Sequence, residues 1–443
     1  MKIFEYPSKP AEARLASIIN RGLSFSRKDY NAVSKILDDV RKNGDSALIN
    51  YARRFDSPAI NTDSIKVGKK EIDSALKKTS KAFNASLKRA VSQIRSFHMQ
   101  QVRLSWIDNE RNGAFLGQII NPVDAAGIYV PGGKEGKTPL VSSVLMGAIP
   151  AKIAGVNRVV MVTPSTKDGS INPHLLVAAK TVGVDEIYKV GSAWAIAALA
   201  YGTETIPKVD VIVGPGNMYV TLAKKIVSGT VGIDMTAGPS EILIIADQSA
   251  IPEYAAADLL SQAEHDPLAS AMLVTDSMKM AKAVLSALND QLNKLERREI
   301  AEKSLLKYGA IIVVPDILAA IELSNRIAPE HLELQVNNPF EYIGKIKNAG
   351  AVFLGNYTPE PVGDYIAGPN HVLPTAGTAR FSSALSVDNF IKKTSLINYS
   401  KEAFFREAKD IIMLAETEGL GAHAGSVKIR LKEADKKVKS KKQ

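Results

Sequence analysis

The chain has no cysteine. That excludes disulfides, thiolate-held zinc, iron–sulfur clusters and a thiol nucleophile, and it is neutral about compartment. Aromatic residues are sparse, at 6% with two tryptophans. None interleave with lysines, as a base-stacking surface would require. No apolar run approaches the roughly 20 residues that cross a bilayer; Ala193–Tyr201 is far too short. The opening Met1–Pro10 has neither an apolar signal core nor an Arg-rich transit character. Histidine is scarce too, with six in 443 residues. The reading is a cytoplasmic protein without membrane or nucleic-acid partners, in which every histidine is worth locating.

What is present is ordinary in bulk. A chain of 443 residues exceeds the size at which a single core keeps growing, so at least two domains are expected. The composition, 45% hydrophobic and 23% charged, is that of a soluble globular protein. The formal charge is +10, but Lys432–Gln443 holds six lysines against Glu433 and Asp435. Such a run reads as a solvated, frayed tail. Net charge speaks to non-specific attraction and not to fold.

The first hundred or so residues read as helical. Val33, Ile36, Leu37 and Val40 share one face at i, i+3, i+4, i+7, and Asn43-Gly44 stops that helix. Further amphipathic stretches run through Lys69–Thr79 and Leu87–Phe97. In the middle, short β-branched runs (Gly127–Val130, Arg158–Thr163, Glu186–Val190, Val209–Val213, Glu241–Ala246) alternate with helical segments. Continuous apolar strands between helices predict a parallel sheet covered on both faces. A second set follows, with strands at Met272–Thr275, Ala310–Val314 and Ala351–Leu354. Two α/β units with helical outworks are expected, with Ala237-Gly-Pro239 as a candidate hinge.

Two glycine-rich loops invite a nucleotide reading. Val130–Thr138 ends in Gly-Lys-Thr, but the glycine a P-loop needs five places earlier is Pro131, so the evidence for ATP is weak. Val213-Gly-Pro-Gly-Asn217 follows a strand and opens a helix, yet the third glycine of G-x-G-x-x-G is Tyr219. A tight β–α turn and a phosphate- or ribose-binding helix N-terminus with Asn217 both remain open.

Polar residues concentrate in four segments: Ser261-Gln-Ala-Glu-His265, Ala328-Pro-Glu-His331, Val362-Gly-Asp-Tyr365 and Gly421-Ala-His423. Gln262 and His265 stand about 60° apart on one helix face. Taken alone, His265 is also an ordinary helix-end histidine, and Asp364 a turn-forming acid. Glu330-His331 after Pro329 is equally consistent with a helix N-terminus stabilised by an acid. Nitrogen and oxygen donors without sulfur suit zinc, and a histidine beside a carboxylate suits proton transfer at neutral pH. His98, His174 and His371 have bland contexts.

These segments, with Gly127-Ile-Tyr-Val-Pro-Gly-Gly133, Val213-Gly-Pro-Gly-Asn217, Ile233-Asp-Met-Thr-Ala-Gly-Pro-Ser-Glu241, Asn370-His-Val-Leu-Pro374 and Glu418…His423, resemble the histidinol dehydrogenase family from about Asn31 to Leu431. The resemblance implies an α/β fold of two incomplete Rossmann-like parallel-sheet domains with small helical N- and C-terminal domains. Its boundaries would be an N-terminal arm at 1–24, a substrate and metal domain at 25–128 plus 239–385, and an NAD-binding domain at 129–238. A C-terminal dimerisation segment at 386–431 and a basic tail at 432–443 would complete it. The implied activity is oxidation of L-histidinol to L-histidine with zinc and NAD. Zinc ligands would be Gln262, His265, Asp364 and His423, and Glu330 and His331 would transfer protons. Ser240, Glu418, His331 and the four ligands would touch substrate, and Tyr129, Trp194 and Asn217 the NAD. The implied assembly is a homodimer with shared active sites, His423 acting in the partner. Trp194 departs from the family pattern, which carries Gln there; Trp has one N–H donor and no acceptor, so stacking on the cofactor is one expectation. The alternative is a related zinc- and NAD-dependent enzyme oxidising another primary alcohol, such as a sulfonated diol, to its acid.

Overall fold

The computed structural model describes residues 1–21, 25–133 and 138–440. Lys137 of the Gly-Lys-Thr run and the last three residues of the basic tail lie outside these. The chain forms two units, Met1–Val102 with Val123–Phe390, and Arg103–Pro122 with Ile391–Gln443. Its strands begin with β1 (Ile3–Glu5), β2 (Trp106–Asp108), β3 (Ala114–Pro122), β4 (Ala125–Tyr129) and β5 (Arg158–Val162). Next come β6 (Glu186–Tyr188), β7 (Val211–Val213), β8 (Gly232–Ile233), β9 (Glu241–Ala246) and β10 (Ser270–Thr275). The last are β11 (Ala310–Val313), β12 (His331–Gln335), β13 (Ala351–Leu354) and β14 (Ile391–Tyr399). Among the described residues no helix is long and apolar enough to cross a membrane.

The larger unit holds two parallel sheets. One has the order β6-β5-β4-β7-β8, the other β1-β11-β10-β9-β12-β13. Alternation along each strand loads both faces. Val160 and Val162 of β5 join a core with the helices Arg27–Phe55 and Ser192–Tyr201, while Val159 and Met161 join one with Val141–Ala154 and Pro173–Val182. In the second sheet Ile242 and Ile244 face one core, and Leu243 and Ile245 the other. That two-sided burial is why these strands read as unbroken apolar runs. The smaller unit is an antiparallel sheet, β14-β3-β2, with the helices Lys401–Thr417 and Gly421–Ser440.

Several expectations are corrected. Residues 1–24 are not purely helical, because β1 pairs with β11. Strand Glu241–Ala246 belongs to the second sheet, between β10 and β12. Glu330-His331 opens a strand and not a helix. The chain remains helical to Ser440, where a frayed tail was expected. The Asn43-Gly44 stop is a kink within Arg27–Phe55, with Gly44 at φ 52°.

A buried ion pair holds the Gly214-Pro-Gly216 loop. Lys224 pairs with Asp234, and its Nζ donates to Gly214 O at 2.9 Å. Asp234 accepts from Gly214 N–H at 2.8 Å and Met235 N–H at 2.6 Å. Gly214 has φ 112° and packs against the Tyr129 backbone, a conformation and an approach that exclude a side chain. Lys224→Met is expected to leave Asp234 buried without its cation, costing about 3–5 kcal/mol. Urea denaturation measures this; an unchanged midpoint would show that the pair is not structural.

Candidate active site

The helix Ile317–Ile327 ends on Ala328 in a left-handed conformation, φ 56°, and Pro329 follows. A non-glycine residue there is strained. The turn sets Glu330 and His331 at the start of β12, beside the start of β9, where His331 is in register with Ile242. His331 Nδ1 lies 2.9 Å from the Glu241 carbonyl, which can only accept, so Nδ1 carries the proton. Nε2 is then an unprotonated acceptor. It is buried without a hydrogen-bond partner among the described residues, 3.7 Å from Glu360 Oε1. Burial lowers the His331 pKa, opposed by the Asp364 carboxylate, so the neutral ring is favoured.

Glu330 is buried beside it. Its Oε2 accepts from Glu241 N–H at 2.8 Å, while the Glu241 carboxylate accepts from Glu330 N–H at 3.3 Å and pairs with Arg21 at 2.9 Å. Burial first, then the Glu241 charge, raises the Glu330 pKa well above the usual carboxylate range. Burial pushes Asp364 up to about 7 and Glu360 to about 8, with the Glu360 charge adding to the shift at Asp364. Gln262 is fully buried on the last turn of the helix Pro252–Ala263. With its amide turned one way, Nε2 donates to the Glu360 carboxylate at 2.9 and 2.6 Å. Turned the other way, the amide oxygen faces those two carboxylate oxygens, an arrangement that a cation between them would reconcile.

The structure gathers three donors that a divalent ion could use, and of the expected ligands only Asp364 is among them: ligand atoms of His331, Glu360 and Asp364 lie within 4.8 Å of one another. Buried acids outnumber nearby cations, and oxygen and imidazole donors without sulfur suit zinc or a harder metal. His265 lies just beyond the helix Pro252–Ala263 and not on one face of it with Gln262; it is exposed, and its N–H donates to Gln262 O at 3.2 Å. Ser240 immediately precedes β9. Glu418 and His423 lie in the smaller unit, both exposed, at the end of Lys401–Thr417 and the first turn of Gly421–Ser440. A cavity of about 390 Å³ opens beside the centre, lined by His331, Asp364, Phe353, Asn370 and His371.

Some participants escape a motif-based reading. Glu360 sits between two prolines with no partner in sequence, and Asp258 lies one helical turn before Gln262, the one signal that could have found it. Glu333 Oε1 accepts the Glu360 N–H at 3.0 Å; Gln335 Nε2 donates to Glu333 at 2.9 Å and to Asp258 at 2.8 Å. This buried layer lies directly behind Glu360.

A second cleft, of about 430 Å³, lies at the C-terminal edge of the five-stranded sheet. Its order places β4 and β7 side by side with their onward connections diverging, the crevice where α/β sheets take nucleotides. Tyr129, Trp194 and Asn217 all line it. Tyr129 Oη accepts Ser192 N–H at 3.1 Å. Asn217 caps the helix Met218–Val227, its Oδ1 accepting from Tyr219 and Val220 N–H, so the turn and helix N-terminus are both real features. Trp194 is 5% exposed; it stacks on Tyr51 and Phe55, and its Nε1 donates to Asp56 at 3.1 Å. Its stacking partners are thus the chain's own rings.

A crevice at the switch point of one parallel sheet, with a histidine–carboxylate centre on the next, is the layout of an α/β oxidoreductase of the nucleotide-dependent dehydrogenase class. The model of the histidinol dehydrogenase family matches residues 20–431, and the chain belongs to that family. The histidinol dehydrogenase of Carboxydothermus hydrogenoformans is 57% identical over 399 residues, covering 90% of this chain and 93% of that protein. That of Desulfotalea psychrophila is 54% identical over 425 residues, covering 96% and 98%. The crystal structure of histidinol dehydrogenase from Elizabethkingia anophelis superposes with a TM-score of 0.92 at 40% identity, covering 98% of this chain and 99% of that one.

Proposed function

We propose that the chain carries out the NAD-dependent four-electron oxidation of L-histidinol to L-histidine through L-histidinaldehyde, the last step of histidine biosynthesis, in the cytoplasm. One observation carries the chemical part: His331 is locked as the Nδ1–H tautomer, with Nε2 bare and buried beside Asp364 and Glu360. An imidazole so held is ready to take a proton from an alcohol. The relatives named above favour this substrate over another primary alcohol.

In this reading Gln262, His265 and Asp364, with His423 of the partner subunit, hold one zinc ion per subunit. Bound zinc supplies a Lewis acid that orients the substrate's imidazole and amine. Bound NAD supplies the hydride acceptor, against Tyr129, Trp194 and Asn217. His331 Nε2 takes the proton of the alcohol in the first oxidation and of the hydrated aldehyde in the second. Glu330, whose proton affinity is raised by burial, moves a proton at its carboxyl to activate the added water. Ser240 and Glu418 contact the substrate. Shared sites require a homodimer, and the smaller unit supports one: Leu104, Ile107, Ile397, Met413 and Leu414 are all more than 60% exposed.

The test is stoichiometry. Two NADH are expected per L-histidinol consumed, measured by absorbance against product histidine. One NADH per substrate with released aldehyde would overturn the four-electron assignment.

A further inference from the structure

In dinucleotide-binding folds an acid just beyond the second strand of the unit bonds the ribose 2′-hydroxyl and so favours NAD over NADP. Here the second strand is β5, and Thr163-Pro-Ser165 follow it with no acid. Asp168 is the next acid, but its Oδ1 accepts from Ser170 N–H at 3.1 Å and Ser170 Oγ at 2.8 Å, with Thr166 bonded to it as well. It does not line the cleft. The sole carboxylate among the described lining residues is Asp56, which caps the helix Arg27–Phe55 from outside the strand–helix unit.

Asp56 is built to present one oxygen. Its Oδ2 accepts from Gly191 N–H at 3.2 Å and Trp194 Nε1–H at 3.1 Å, and Tyr51 and Phe55 hold the indole in place. No protein donor reaches Oδ1 among the described residues, and Oδ1 is not sealed from the cleft. Gly191 must lack a side chain, because a Cβ there would meet Oδ1 at 3.2 Å and Pro164 at 2.8 Å. A carboxylate is acceptor-only, so its free oxygen pairs with a hydroxyl donor and repels a phosphate. Lys167, the ammonium lining the same cleft, remains available to a diphosphate.

We propose that Asp56, anchored by Trp194 and Gly191, is the residue that selects NAD over NADP by accepting a ribose hydroxyl of the cofactor and repelling a 2′-phosphate. This rests on reading the cleft as the NAD site. It also gives the departure at position 194 a role: the indole N–H orients the selecting carboxylate.

The experiment uses the full chain carrying Trp106→Phe, so that Trp194 is the only tryptophan and reports on the cleft by fluorescence. AMP and adenosine 2′,5′-bisphosphate are titrated as probes, and kcat/KM is measured with NAD and NADP. The parent is expected to bind AMP at least tenfold more tightly than the bisphosphate. Asp56→Asn is expected to lower the NAD/NADP ratio of kcat/KM by a factor of about 10 to 10², since losing a hydroxyl's partner and a repulsive charge both act on that ratio. Asp56→Glu, which keeps the charge, is expected to retain the preference. Equal affinity of the parent for both probes would overturn the proposal without any variant. So would an Asp56→Asn chain that weakens NAD and NADP alike, or an Asp56→Glu chain that loses the preference as Asp56→Asn does. If neither AMP nor NAD perturbs Trp194 at saturation while NADH still forms, the cleft is not the NAD site, and the proposal falls with that reading.

Discussion

His331→Asn is expected to lower kcat by a factor on the order of 10² to 10⁴, the range for loss of a general base. KM for L-histidinol should change far less, because substrate orientation in this reading belongs to the metal ligands, Ser240 and Glu418. The fold should survive. β12 is held in register by β9 along its whole length and by β13 from His331 to Leu334, and one bond from Nδ1 to Glu241 O is a small part of that pairing. Measurement of kcat and KM, with a melting curve as control, decides the matter. Undiminished turnover would remove His331 from proton transfer and leave Glu330 as the sole candidate in that turn.

The second large effect concerns assembly. His265→Asn and His423→Asn chains are each expected to lose zinc, by metal analysis, and to fall to background activity. His265 lies in the larger unit and His423 in the smaller one, far apart in sequence. If His423 completes the partner's centre, a heterodimer of the two variants contains one site with both defects and one native site. Mixing them should restore activity, with about half the zinc of the native dimer in each heterodimer, because exchanging a terminal element between identical chains is a low-cost way to build a C2 assembly. Sites confined to single chains would each keep one defect. An inactive mixture with heterodimers demonstrably formed would therefore rule out sharing.

Much of the fold was legible because its strands are simple. Glu241–Ala246 and Ala351–Leu354 are strands at the bounds their apolar runs predict. Strand β12 was not. His331, Glu333 and Gln335 alternate with Leu332 and Leu334, a period-2 pattern that ordinarily marks one wet face. All five are buried. The polar face is partnered by Asp258, by the Glu360 backbone and by the Glu241 carbonyl, residues distant in sequence, which leave His331 Nε2 and Gln335 Oε1 without a hydrogen bond among the described residues. Such a strand has the pattern of a surface element and the environment of a core, so local propensity points away from its role.

The sequence by itself determined the architecture and the family: two apolar strand–helix series need two parallel sheets, and eight ordered motifs span nearly the whole chain. It also excluded one class of donor, since without cysteine no thiolate can serve. Only the tertiary structure decided which nitrogen of His331 is bare, that Glu360 stands against Gln262, and that Trp194 turns its N–H to Asp56. Each depends on where a carbonyl or carboxylate from a remote segment comes to rest, and on whether packing removes water from around it. Those two quantities set tautomer, charge and hydrogen-bond partner, and neither is written in any local stretch of residues.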